Sequence, residues 1–201
     1  VVVTGAGGSI GAELVRQISR LAPASLTLID HAEDNLFLID QWLREHQVAG
    51  VRSCVADVKD ADRMRKIIAE QQPTVIFHAA AYKHVPLMEA QPFEAIENNV
   101  FGTLNVARMA DAVGAERFVL ISTDKAVRLS SVMGATKRIA EMVIRELQSN
   151  PKLKLRPVGL LDDDPGKRGL RIHGVPILGD MHVIRQVAEE KGVDEVIIAI
   201  P

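Results

Sequence analysis

The stretch VVVTGAGGSIGAELV at residues 1–15 places Gly5, Gly8 and Gly11 between a β-branched run and an amphipathic one. A G-x-x-G-x-x-G turn from a first strand into a first helix constrains the fold more than any other stretch of this chain. Glycine takes positive φ there without steric cost and lets a ligand come close to the backbone. The helix that follows presents unpaired N–H groups and the positive end of its dipole, which suits a pyrophosphate. The loop positions expected to meet such a ligand are Gly5, Gly8, Ser9, Ile10 and Gly11. A tight turn without a ligand is the alternative at this level.

The rest of the chain repeats the same alternation. Candidate strands are VVVT at 1, SLTLID at 25, VRSCVAD at 51, TVIFHAA at 74, RFVLIS at 117, LRPVGLL at 155 and EVIIAI at 195. Between them apolar residues recur at helical spacing, as in Leu36, Ile39 and Leu43, in Met64, Ile67 and Ile68, in Ile139, Met142, Val143 and Leu147, and in Ile184, Val187 and Ala188. These stripes are expected to face the core. Repeated βα units imply an α/β fold, a doubly wound, Rossmann-like parallel sheet of about seven strands with helices on both faces. Its ligand site would lie at the carboxyl ends of the strands. Residues 1–201 are expected to form a single domain. The sharpest change in character is at QSNPK, 148–152, which separates a segment 1–147 from a segment 148–201 that would add strands and a helix to the sheet.

Two acidic positions narrow the ligand. Asp30 ends the second candidate strand, where a carboxylate accepts both ribose hydroxyls of NAD and repels the 2′-phosphate of NADP; His31 is a poor substitute for the Arg of an NADP site. NAD is therefore the expected cofactor. Asp57 and Val58 follow the third strand and suit the adenine edge and ring, with a helix N-cap as the alternative for Asp57. Ala79, Ala80 and Ala81 supply small residues where backbone passes close to the cofactor, while His78 reads as a satisfied core histidine.

The net charge of −2 gives no hint of nucleic acid or an anionic membrane surface as partner. Cys54 is the sole cysteine, so neither a disulfide framework nor a cysteine metal cluster is expected, and no metal site is assigned. A reducing, cytoplasmic setting fits. No apolar run approaches the roughly 20 residues of a membrane span, and no signal peptide is visible. The chain opens inside a candidate strand, from which upstream sequence is expected; a longer parent could be anchored at the inner membrane.

The motifs TGAGGSIG at 4, HAAAYKHVPLME at 78, ENNVFGT at 97, STDKAV at 122 and MGATKR at 133 complete the pattern. As a set they resemble the extended short-chain dehydrogenase/reductase family, and within it the nucleotide-sugar 4,6-dehydratases of bacterial capsule and O-antigen synthesis. Such enzymes usually carry Tyr four positions before an active-site Lys; here Met133 stands four before Lys137. The resemblance implies that Met at this position is a feature of the polysaccharide branch. It further implies a catalytic set of Thr123, Asp124, Lys125, Met133 and Lys137. In that set Asp124 is the acid for the leaving C6 hydroxyl and Lys125 the base for the C5 proton. Lys137 would hold the nicotinamide ribose and polarise the sugar 4-hydroxyl, Thr123 would contact that oxygen, and Met133 would transfer no proton. Asn99 would brace the backbone beside the cofactor, and Lys83 and Glu89 would face cofactor or substrate. A polar turn after the fifth strand is the plain alternative for Thr123–Lys125.

From about Leu147 the pattern departs. Residues 148–201 resemble the nucleotide-binding-like domain that normally precedes the dehydratase domain in large membrane-associated proteins, here in reversed order, as in a rearranged, truncated or engineered fusion. Asp162, Asp163 and Asp164 suit a ribose, a metal or, more simply, a solvated turn. The partner implied is a UDP-N-acetylhexosamine-type sugar nucleotide, and self-association into a homo-oligomer is open. A 4-epimerase, which would share the oxidation at C4 without needing Asp124 and Lys125, and a non-catalytic NAD-binding module are the competing functions.

Overall fold

The computed structural model describes residues 1–127, 130–149, 160–161, 171–172, 175–179 and 183. Strands β1 (Val2–Thr4), β2 (Leu26–Asp30), β3 (Val51–Val55), β4 (Val75–His78) and β5 (Arg117–Leu120) form one sheet in the order β3-β2-β1-β4-β5, every neighbouring pair parallel. Strand order reverses between β1 and β4, so the loops leaving their carboxyl ends diverge and open a crevice there. Five strands make this sheet, where the sequence pattern suggested about seven. The described strands β6 (Leu160–Leu161), β7 (Arg171–Ile172) and β8 (Val175–Gly179) pair with one another in the order β6-β8-β7. Asp162, Asp163, Asp164, the helical stripe at 184–188 and the run at 195–200 lie outside the described residues.

The helices are α1 (Ser9–Ser19), α2 (Glu33–Glu45), α3 (Ala61–Gln71), α4 (Val85–Ala90), α5 (Pro92–Ile96), α6 (Thr103–Ala112) and α7 (Val132–Ser149), with a π-helical turn at Glu97–Gly102 between α5 and α6. Alternation along each strand splits the core in two. Val2, Ile76, Phe118 and Leu120 pack with Met64, Ile68, Val106 and Ile144, under α3, α6 and α7. Val3, Leu28, Val119 and Ile121 pack with Leu14, Val15, Leu36 and Ile39, under α1 and α2. Helices therefore cover both faces, as buried parallel strands require.

Helix α7 corrects one expectation. Ile139 and Met142 are 44% and 55% exposed, whereas Met133, Lys137, Ala140 and Ile144 point inward. The apolar arc is wide enough to allow more than one helical phase, and the phase adopted puts a lysine on the buried face. Hydropathy alone selects against that choice.

His78 sits at the end of β4 with no exposure at all, between Thr4 Oγ1 at 2.6 Å and Thr103 Oγ1 at 3.0 Å. Thr103 donates its only hydroxyl proton to the Asn99 carbonyl at 2.7 Å, so it must accept from His78 Nε2. Nδ1 is then the acceptor, and Thr4 donates to it. Burial, reinforced by the charge of Lys137, pushes the imidazole pKa down to about 3. Unfolded chains take up this proton below about pH 6.5, while the folded protein resists it until about pH 3, so acid favours unfolding across that window. Between pH 7 and 4.5 the cost through His78 is about 2–3 kcal/mol. Urea unfolding at both pH values should show that much more acid destabilisation in the native chain than in His78→Asn; equal losses would remove His78 as the source.

Candidate cofactor and active site

The glycine loop is built by close packing. Gly5 has φ +68°, and a Cβ on it would lie 2.5 Å from the Ala80 nitrogen. On Gly11 a Cβ would stand 1.9 Å from the Gly5 carbonyl oxygen. The loop therefore folds back on itself and against Ala79 and Ala80, which explains the small residues after β4. Helix α1 begins at Ser9 behind Gly8, which occupies the N-cap without a side-chain cap. Backbone N–H groups at this end are thus available to an anion. Ser9 and Ile10 form the first turn of α1, and Lys83 extends over it with Nζ 3.5 Å from Ser9 Oγ.

Asp30 closes β2 beside this loop and is 7% exposed. Its Oδ2 accepts the Gly7 N–H at 2.8 Å and its Oδ1 the Ala32 N–H at 2.9 Å, with His31 Nδ1 3.6 Å from Oδ1. The carboxylate thus orders the glycine loop. Gly5, Asp30, His31, Ala56, Val58 and Ala80 line one cleft. Val58 is buried beneath it, and a Cβ on Gly102 would meet its Cγ2 at 2.7 Å. Asn105 Nδ2 donates to the carbonyls of Val58 and Lys59 at 3.1 and 3.2 Å, fixing that floor from α6. Asp57 is not the cap of α3. Asp60 caps that helix through the Arg63 N–H at 2.9 Å, while Asp57 accepts the Lys59 N–H at 2.8 Å in its own turn.

At the end of β5 the chain enters a short 3₁₀ turn, Asp124–Ala126. Thr123 caps it, accepting from the Lys125 N–H at 3.4 Å and donating to Asp124 Oδ1 at 3.2 Å. Lys125 Nζ is 4.0 Å from the same carboxylate, and the two side chains are 47% and 43% exposed. An acid and an amine are therefore paired loosely and accessibly. Gly134 lets the start of α7 press on this turn, since a Cβ there would lie 2.4 Å from the Lys125 carbonyl oxygen.

Lys137 is 5% exposed and donates from Nζ to the Ile121 carbonyl at 2.6 Å. Burial pulls its pKa down to about 8, against the opposing pull of Glu141. Met133, 3% exposed, belongs to a small apolar cluster with Met88 and Ala95, against which Tyr82 packs. The residue at the usual phenol position thus fills space.

Asn99 is buried in the π-helical turn and commits its whole amide to bracing. Oδ1 accepts the Tyr82 N–H at 2.8 Å, while Nδ2 donates to the Tyr82 carbonyl and to Thr136 Oγ1, each at 3.0 Å. The loop after β4 is thereby tied to α7. Glu89, expected to face substrate, accepts the Val132 N–H at 2.6 Å and so secures the start of α7. Sequence reasoning passed over Gly134, Thr136 and Glu141; a glycine one residue past the Met133 position was the available signal for the first. Beside the β4 loop, a cleft of about 330 Å³ is lined by residues that include Tyr82, Lys83, His84, Leu87, Gln91 and Glu94. Among the described residues no cluster of His, Cys, Asp or Glu suits a metal, and no helix is long and apolar enough to cross a membrane.

Known proteins share both the pattern and the fold. The probable polysaccharide biosynthesis protein EpsC of Bacillus subtilis is 51% identical over 151 residues, 73% of this chain and 25% of that protein. The UDP-N-acetylglucosamine 4,6-dehydratase (inverting) of Campylobacter jejuni serotype O:2 is 30% identical over 145 residues, 68% of this chain and 40% of that enzyme. This chain thus spans well under half the length of either relative. The crystal structure of DesIV, a dTDP-glucose 4,6-dehydratase from Streptomyces venezuelae with NAD and TYD bound, superposes with a TM-score of 0.65 at 25% identity, over 76% of this chain and 52% of that one. The family model described as polysaccharide biosynthesis protein matches residues 1–156, most of the sequence and every site residue above, and the chain belongs to that family.

Proposed function

We propose that this chain is the NAD-binding, catalytic part of a nucleotide-sugar 4,6-dehydratase acting on a UDP-N-acetylhexosamine, with residues 1–147 carrying the site and 148–201 an appended segment of the same domain. The observation that carries the reading is the Asp124 and Lys125 pair, 4.0 Å apart and accessible on the turn that leaves β5. A 4-epimerase, which shares the oxidation at C4, needs no acid and amine at that position.

The residues fit NAD: Gly5 and Gly11 let the loop fold tightly ahead of α1, α1 offers its unpaired N–H groups, and Asp30 would take the ribose, with His31 and neither Arg nor Lys beside it in the cleft to meet a 2′-phosphate. NAD, when bound, accepts hydride from C4 of the hexose and returns it to C6. Lys137 would hold the nicotinamide ribose and polarise the 4-hydroxyl, with Thr123 touching the same oxygen. Lys125, as base, takes the C5 proton that a C4 ketone acidifies. Asp124 gives a proton to the C6 hydroxyl, which leaves as water. Lys125 would return its proton to C5 as hydride returns to C6, and the 4-hydroxyl proton, released to solvent on oxidation, balances the one that Asp124 takes back up; the cycle is redox-neutral, its product a 4-keto-6-deoxy sugar nucleotide. Met133 takes no part in proton transfer.

Placement of C4 draws on binding energy from the remote nucleotide. Residues 148–201 contain no Phe, Tyr or Trp to stack on a uracil. The chain alone is therefore expected to retain NAD but to convert UDP-N-acetylglucosamine slowly. Mass spectrometry of the reaction mixture checks this. A trace of 4-keto-6-deoxy product that depends on Lys125 supports the dehydratase reading, and the C4 epimer alone would replace it with an epimerase.

A further inference from the structure

Two consecutive residues just after β5 meet α7 through Lys137 and Glu141, one helical turn apart. Lys137 Nζ donates to the Ile121 carbonyl at 2.6 Å, and the next residue, Ser122, donates from Oγ to Glu141 Oε1 at 2.5 Å. The residue after that is Thr123, which caps the turn bearing Asp124 and Lys125. Arg138 Nη1 holds the other oxygen of Glu141 at 3.1 Å. Ser122 and Lys137 are buried, whereas Glu141 and Arg138 lie partly open at the rim, with side chains 30% and 19% exposed. We infer that Glu141 is a positioning residue of this site: its carboxylate fastens the root of the Thr123–Lys125 turn to α7 and supplies negative charge to the enclosed amine of Lys137.

The charges around that amine come from several elements. His78 on β4 is neutral, held so by burial and by Lys137 itself. Glu141 and Arg138 lie on α7, and Asp124 and Lys125 lie on the turn packed against it, both open to solvent. Burial draws the proton off Lys137, and Glu141 opposes that loss. Near neutral pH the two effects leave Lys137 mostly protonated, the form that donates to the Ile121 carbonyl and to a ribose hydroxyl. A glutamine at 141 would keep an oxygen for Ser122 and remove the charge. It therefore separates the mechanical role from the electrostatic one.

The consequence for turnover rests on the function proposed above, but the test reads the amine directly and needs neither NAD nor sugar. The side-chain ¹³Cε signal of Lys137, assigned by its loss in Lys137→Arg, is followed by NMR from pH 6 to 10 in the ligand-free chain. Glu141→Gln should move the midpoint to lower pH, so that at pH 8 the ratio of neutral to charged amine rises about threefold or more. Arg138→Met, which removes the paired guanidinium and leaves the carboxylate, should move it the other way, and decides the matter alone if Glu141→Gln does not fold. A midpoint that stays put in either folded variant, or moves in the opposite direction, overturns the inference.

Discussion

Lys125→Ala, in an active protein carrying this segment, is expected to lower exchange of the C5 proton of a UDP-N-acetylhexosamine by about 10²–10⁴-fold, the range for losing a positioned base. Among the described residues the Lys125 side chain is half exposed and pairs with Asp124 alone, at 4.0 Å. Its removal should therefore leave the fold and NAD binding almost unchanged. Met133→Ala should show the reverse. Truncating a thioether buried at 3% exposure between Met88 and Ala95 is expected to cost about 2–4 kcal/mol of stability. Exchange by the folded fraction should stay within about tenfold of the parent, since no proton passes through sulfur. Deuterium uptake at C5, followed by NMR beside thermal unfolding of each variant, separates the two effects. Were Met133→Ala the more damaging to exchange, packing around the nicotinamide would control the chemistry and Lys125 would lose its role as base.

The parts of this molecule legible in the sequence are those fixed by neighbours along the chain. The glycine loop, Asp30 at the end of a strand, and the alternation of β-branched runs with helical stripes each depend on residues within a turn or two of one another. The first five candidate strands all occur, and His78 is a satisfied core histidine. What the sequence did not disclose depends on distant contacts. The apolar run at 155 signals a strand but not the sheet it joins, the strands at Arg171–Ile172 and Val175–Gly179 were not expected, and β6, β7 and β8 pair among themselves. Helix α7 buries Met133, Ala140 and Ile144 together with Lys137, whose Nζ reaches the Ile121 carbonyl across 16 residues, a contact that hydropathy along the helix does not show. Asp57 and Asp60 are equally good caps by composition; the backbone entering α3 selected Asp60. Asn99 was expected to support backbone, but its particular partners, Tyr82 and Thr136, lie 17 and 37 residues away.

Gly11→Ala should be as destructive to the cofactor site as Lys125→Ala is to the chemistry. The added methyl would stand 1.9 Å from the Gly5 carbonyl oxygen, backbone against backbone, so the loop must open to admit it. That displacement carries Gly7 away from Asp30 and misaligns the N–H groups ahead of α1, and NAD affinity is expected to fall by about 100-fold or more, roughly 3 kcal/mol. The decisive measurement is calorimetric titration of NAD and NADP into the unaltered chain, with Gly11→Ala as the control. Binding of NAD at least about tenfold tighter than NADP, and lost in the control, is the expected result. Tighter binding of NADP, or NAD affinity that survives Gly11→Ala, would contradict the assignment of this loop and Asp30 as an NAD site.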